Sequence, residues 1–324
     1  MATNVHLTLS CGDYDINRGL IDGSVTPAGI DLTVLTSSAP ERHWRMIKHR
    51  EFDVCEFSLG SYLLLADQKA AVTAIPAFPH RRFRHTSIFV NTSAGITVPS
   101  DLAGKRIGLR SWQTTACFWM RGVLQDEYGI ELGKVQWFTQ DDEDVAFSLP
   151  EGISVEKVPD AKTVTEMLEE GEIDALIYPE VPRSIRVGDE RVSRLFPNGK
   201  SVEQDYFEKT GFFPIMHTVI VKDEVLSEHP WVARSLLEAL RASKEAAFRR
   251  IENPRTVVLA WLPTALREQK QIMGDDPWAY DLGRNEKQLS TLLRWAREQG
   301  MMQRFLEPAD LFVPSTVNDP PFYV

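Results

Sequence analysis

The stretch Asp101-Leu102-Ala103-Gly104-Lys105-Arg106-Ile107-Gly108-Leu109-Arg110-Ser111-Trp112-Gln113-Thr114-Thr115 carries three local signals in a row. Residues 99–105, opened by Pro99, read as a short helical turn. Arg106-Ile107-Gly108-Leu109 then reads as a strand. Residues 111–115 form a polar loop that opens a long helix running through Tyr128 and stopping at Gly129. Strand, loop and helix in that order make an α/β unit. Where such a loop meets a helix start, its backbone N–H groups favour an anion.

The same alternation extends outward. Residues 5–9 alternate as a strand, and Cys11-Gly12-Asp13-Tyr14-Asp15 turns out of it. Residues 30–35 and 53–57 read as strands; 41–49, with an apolar face of Trp44, Met46 and Ile47, and 61–66 read as helices. Further strands are expected at 135–138, 155–158, 174–178 and 216–221, with a helix at 163–170. Residues 140–152 read as an acidic surface loop, the chain beyond Glu228 as mostly helical, and the tail 305–324 as extended. The pattern implies α/β architecture with a largely parallel sheet. At 324 residues, two lobes are expected: 1–94 plus 215–324, and 95–214, with a ligand cleft between the lobes.

Composition excludes several function classes. A formal net charge of -10 argues against a nucleic-acid partner. No apolar run approaches the roughly 20 residues that span a bilayer, so no membrane association is expected. Residues 1–4 carry no Lys or Arg and precede no apolar core, which reads as cytoplasmic. Cys11, Cys55 and Cys117 are odd in number and show no CxxC spacing, so neither a disulfide framework nor a zinc site is indicated.

Against that acidic background, residues 80–85 pack three arginines and two histidines into six positions: His80, Arg81, Arg82, Phe83, Arg84 and His85. Apolar runs flank them, which places them on a connection between strands, where binding residues collect. Arginine grips carboxylates and histidine moves protons near neutral pH. A site for a small carboxylated molecule is one reading; a solvated basic loop is the other.

Residues 101–108, the 111–115 loop and Gly171-Glu172-Ile173-Asp174-Ala175 together resemble the second lobe of the two-lobed type II periplasmic-binding-protein-like fold. Other segments resemble the 4,5-dihydroxyphthalate decarboxylase family, a cytoplasmic enzyme branch of that fold. They are Cys11-Gly12-Asp13-Tyr14-Asp15, Arg45-Met46 with Glu51-Phe52-Asp53-Val54, residues 58–64, Ile75-Pro76, Phe78-Pro79, Phe83-Arg84-His85 and residues 121–129. The resemblance covers most of 7–180 and thins toward the C-terminus. It implies a non-oxidative decarboxylase of a hydroxylated aromatic carboxylate. One departure stands out: where the family commonly places a basic residue after the strand ending near Tyr178-Pro179, this chain has Glu180.

Such chemistry needs cations to hold carboxylates, a proton donor over the ring and a group to manage the phenol. Arg82 and Arg84 are the candidate clamps, with Arg110, Thr114, Thr115 and Tyr178 from the second lobe. His85 is the first candidate for the acid and His217 the second; a strand-end histidine and a hinge histidine are the bland alternatives. Glu56 ends a buried strand, where a lone carboxylate is costly, so it pairs with an arginine or orients a histidine. Asp13 and Tyr14 follow a strand's C-terminal end, where α/β ligands gather, or form a plain turn. Ser58 and Ser61 are site hydroxyls or helix caps, with Ser61 favoured as the cap. Trp112 stacks on an aromatic ring or packs in the core. His80 and His85 lie five apart among cations, so no metal and no other cofactor is expected. Two further readings are a solute-binding protein of an ABC transporter and another cytoplasmic lyase on the same fold. A homo-oligomer is left open.

Overall fold

The computed structural model describes residues 4–318. The chain divides into two compact units.

The first unit takes the chain up to Arg81, then Ile215–Leu293 and the chain from Arg304. Its five-stranded sheet runs in the order Ile30–Thr36, Val5–Cys11, Val54–Ser58, His217–Lys222, Val72–Ile75. The first three strands are parallel; His217–Lys222 is antiparallel to both its neighbours. Val54–Ser58 is buried at every position, as a strand covered on both faces must be. Glu56 is therefore carried into the core at 0% exposure. Pairing sets Val219 opposite Glu56 and His217 opposite Ser58, so Glu56, Ser58 and His217 share one face. Diagonal neighbours on one face are within reach of long side chains, and this register delivers His217 to Glu56.

Two local details differ from the sequence reading. The helix Ala39–His49 is rolled so that Arg42, His43 and Met46 face inward, while Trp44 is 49% exposed. The buried carboxylate of Glu56 explains the roll, because it needs a cation and Arg42 supplies it one turn before Met46. Ser58, not Ser61, caps Leu59–Asp67: its hydroxyl accepts the Ser61 N–H at 3.4 Å. The tail is not simply extended, since Pro308–Leu311 and Pro314–Thr316 are 3-10 turns; residues 319–324 lie outside the described residues.

The second unit comprises Arg82–Pro214 and Arg294–Gln303. Its six-stranded sheet runs Val192–Arg194, Ile88–Asn91, Ala175–Ile177, Arg106–Leu109, Gln136–Thr139, Val155–Lys157. Residues 82–94, read above as part of the first lobe, belong here because Ile88–Asn91 pairs antiparallel with Val192–Arg194 and Ala175–Ile177. Both sheets are thus largely parallel, each with one strand running against the rest. In each, an antiparallel strand (Ile88–Asn91, His217–Lys222) begins soon after the chain has passed from one unit to the other. A helical crossover within one sheet enforces parallel pairing, and these strands arrive without one. On one face, Phe89, Leu176 and Val192 pack with Val164, Met167, Leu168 and Ile173 as a core. The helix Thr115–Tyr128 ends as expected at Gly129, whose φ of 66° is the left-handed conformation glycine adopts freely. Among the described residues, no helix is long and apolar enough to cross a membrane.

Candidate active site

The first unit assembles a buried ionic constellation around Glu56. One carboxylate oxygen accepts from the Gly12 N–H at 2.7 Å. The other accepts from Arg42 Nη2 at 2.6 Å and meets His217 Nδ1 at 2.5 Å. Arg42 is 1% exposed and also donates to the backbone oxygens of Glu56 (Nε, 3.0 Å) and Ser37 (Nη1, 2.8 Å). A buried charge this well matched costs little, whereas removing either partner strands the other. Tyr14 Oη lies 3.5 Å from Arg42 Nη2, and burial pushes its phenol up to about 12, so it stays protonated.

Three imidazoles meet here. The His217 ring stacks edge-on against His80 at 4.6 Å and against His43 at 5.0 Å; His80 also contacts Tyr14 at 5.7 Å. Burial, with the neighbouring His217 and Arg42, holds His43 neutral by lowering its pKa well below the usual value. Close by, burial raises the Tyr280 phenol, which feels both Glu56 and Arg81. Arg81 is not solvated: it is 6% exposed and donates to Asn285 Oδ1 at 2.6 Å and the Ala279 carbonyl at 3.1 Å. Asp13 is exposed and pairs with Arg18 at 3.1 Å, which is the plain-turn reading.

The structure thus brings the sequence candidates Glu56, His217 and Tyr14 together with Arg42, His43 and Tyr280, which the sequence reading did not name. The signal for Arg42 was present: a carboxylate in an otherwise apolar strand demands a cation on a facing helix.

In the second unit several of the remaining candidates have partners of their own. Arg110 donates through Nε to Asp141 at 2.9 Å and through Nη1 to Glu180 at 3.0 Å. Arg84 donates to the Pro179 carbonyl at 3.1 Å, so Arg84, Arg110 and the 178–180 segment are neighbours; burial and Arg82 lower Arg84 to about 10. Arg82 is exposed. The N–H groups of Trp112 and Gln113, expected to favour an anion, do bind one: Glu143 accepts from them at 2.5 and 3.0 Å. Residues 140–152 are irregular and mostly exposed, with the Glu143 side chain half-buried against that turn. Thr114 bonds Ser111 through the hydroxyls at 2.8 Å, and Thr115 begins the helix and is buried.

Trp112 is a packing residue rather than a stacking platform. It is 1% exposed, carries the Arg121 guanidinium 3.7 Å above its ring and donates Nε1–H to the Gln299 carbonyl at 2.9 Å. His85 sits among Tyr206 and Phe196, with ring centroids at 4.9 and 5.6 Å. Among the described residues neither of its nitrogens has a hydrogen-bond partner, and burial lowers it to about 4. A histidine held neutral has no imidazolium proton for general-acid work near neutral pH.

Comparison with known proteins bears on this arrangement. Residues 26–255 match the family model described as NMT1/THI5 like. The chain is 34% identical over 325 residues, 98% of each chain, to a protein of Comamonas testosteroni named 4,5-dihydroxyphthalate decarboxylase. It is 34% identical over 215 residues to one of that name from Pseudomonas putida, covering 64% of this chain and 83% of the other. Among solved structures, the aliphatic sulphonate-binding protein SsuA of Escherichia coli aligns with a TM-score of 0.57 at 9% identity, over 98% of this chain and 99% of that one. SsuA of Xanthomonas axonopodis pv. citri, bound to MOPS, gives 0.54 at 12% identity over 98% and 99%. These likenesses show the fold, a two-lobed type II periplasmic-binding-protein-like fold.

Proposed function

Since the chain belongs to the NMT1/THI5-like family and to the 4,5-dihydroxyphthalate decarboxylase family, we propose that it is a carboxy-lyase acting on a hydroxylated aromatic carboxylate. The observation that carries the reading is the Glu56–His217 contact of 2.5 Å, buried and braced by Arg42. A carboxylate on Nδ1 fixes the ring's tautomer and supports positive charge on it. His217 then transfers its proton through Nε2. His85, neutral and enclosed by aromatics, is not the donor.

The reaction balances without a further reactant. The ring hydroxyl pushes electron density toward the carbon bearing the carboxylate, and the imidazolium proton adds there. The bond to the carboxylate breaks, CO2 leaves, and its electron pair restores the aromatic ring. Solvent reprotonates the imidazole. With His217 protonated, Arg42 and His217 contribute two positive charges against one from Glu56, so the constellation favours an anionic acid. The substrate is 4,5-dihydroxyphthalate or a close hydroxylated relative.

Incubation of the purified protein with 4,5-dihydroxyphthalate and a panel of hydroxybenzoates tests this by CO2 release. Turnover of at least one acid is expected; no release from any of them refutes it.

A further inference from the structure

His43 was not suggested by any motif, yet it lies next to the proposed donor and its hydrogen bonding is incomplete. It lies on Ala39–His49, 9% exposed, with its ring 5.0 Å from His217 and 5.1 Å from Phe57. The Glu56 backbone hydrogen-bonds the ring in the sense that favours its protonated form, so a ring N–H is spent on that carbonyl. Nε2 is buried and has no hydrogen-bond partner among the described residues. The N–H already used is therefore that of Nδ1, and Nε2 presents a lone pair. Folded proteins rarely leave such an atom unmet, and one beside a reaction centre asks for a ligand donor.

We propose that His43 is a specificity-determining residue whose Nε2 accepts a hydrogen bond from a ring hydroxyl of the aromatic acid. The inference rests on the decarboxylase reading of this site. A lone pair repels a carboxylate, so the group it takes is the O–H. Its edge-on contact with His217 sets the hydroxyl reader about one aromatic ring away from the proton donor. His217 thus addresses the carbon that loses CO2 while His43 checks that the electron-releasing hydroxyl is present.

The test compares dissociation constants for 4,5-dihydroxyphthalate and phthalate by titration calorimetry, in wild type, His43→Phe and His43→Gln. Wild type is expected to prefer the dihydroxy acid by roughly 10–100-fold, the range for one buried hydrogen bond. His43→Phe keeps the aromatic contacts and removes the acceptor; its preference should fall toward one, with phthalate binding unchanged. His43→Gln, which restores an acceptor, should recover part of the preference. Undiminished preference in His43→Phe overturns the assignment, as do equal losses for both acids, which mark a structural role. His43→Leu carries the same expectation if the phenylalanine variant does not fold. A wild type that binds neither acid overturns this inference, whereas the decarboxylase reading falls only if no acid of the panel releases CO2.

Discussion

His85 offers a quantitative test, because its environment predicts both an acid lability and a dispensable role. The ring is 1% exposed, and burial lowers its pKa from 6.5 to about 4. The unfolded chain therefore binds a proton between those values that the folded chain refuses. Stability is fully present above pH 6.5 and is lost as pH falls toward the folded value of about 4. At roughly 1.4 kcal/mol per pKa unit, the full loss is about 3 kcal/mol, of which about 2 kcal/mol is gone by pH 5.

His85→Phe removes this titration. Urea unfolding at pH 7 and pH 5 gives a difference for each protein, and that subtraction cancels any constant packing penalty of the larger ring. The difference should be smaller in the variant by about 2 kcal/mol. Turnover at pH 7 should stay within a few-fold of wild type. An unchanged pH difference refutes the buried neutral state; a loss of turnover of two orders of magnitude or more returns the donor role to His85.

The remaining predictions concern the Glu56 constellation. His217→Gln should abolish CO2 release while the acid still binds, read by turnover and calorimetry on the same preparation. Glu56→Gln should lower turnover by roughly 10²–10⁴-fold, because His217 loses the carboxylate that orients and charges it. Arg42→Met takes the guanidinium partner from a fully buried carboxylate and should cost about 3–5 kcal/mol in urea unfolding. Adding Glu56→Leu should recover most of that loss, since two apolar residues replace the pair; a double variant as unstable as the single would refute the pairing argument.

The alternation of strand and helix was legible because it depends on local pattern, and the helix stop at Gly129 because glycine takes the left-handed conformation at little cost. Unit membership was less legible. Residues 82–94 look continuous with the strand before them, and only non-local pairing of Ile88–Asn91 assigns them to the second sheet. Within the site, Glu56 was singled out as a carboxylate ending a buried strand and His217 as the second candidate acid. Arg42 and His43 were missed because an apolar reading of their helix favoured Trp44, and the real inner face is set by a charge on another element.

The cation-rich segment is less decisive than its charge count for a related reason. Counting arginines identifies anion sites only where the arginines are uncommitted, and this chain has 46 acidic residues against 36 basic ones. Several of its guanidiniums find partners in the fold: Arg81 takes Asn285, Arg110 takes Asp141 and Glu180, and Arg42 takes Glu56. Even the N–H groups of Trp112 and Gln113 are filled by Glu143. In an acidic protein the more discriminating question is which buried polar atoms lack a partner. Here that question picks out, among other atoms, Nε2 of His43 beside the Glu56–His217 pair.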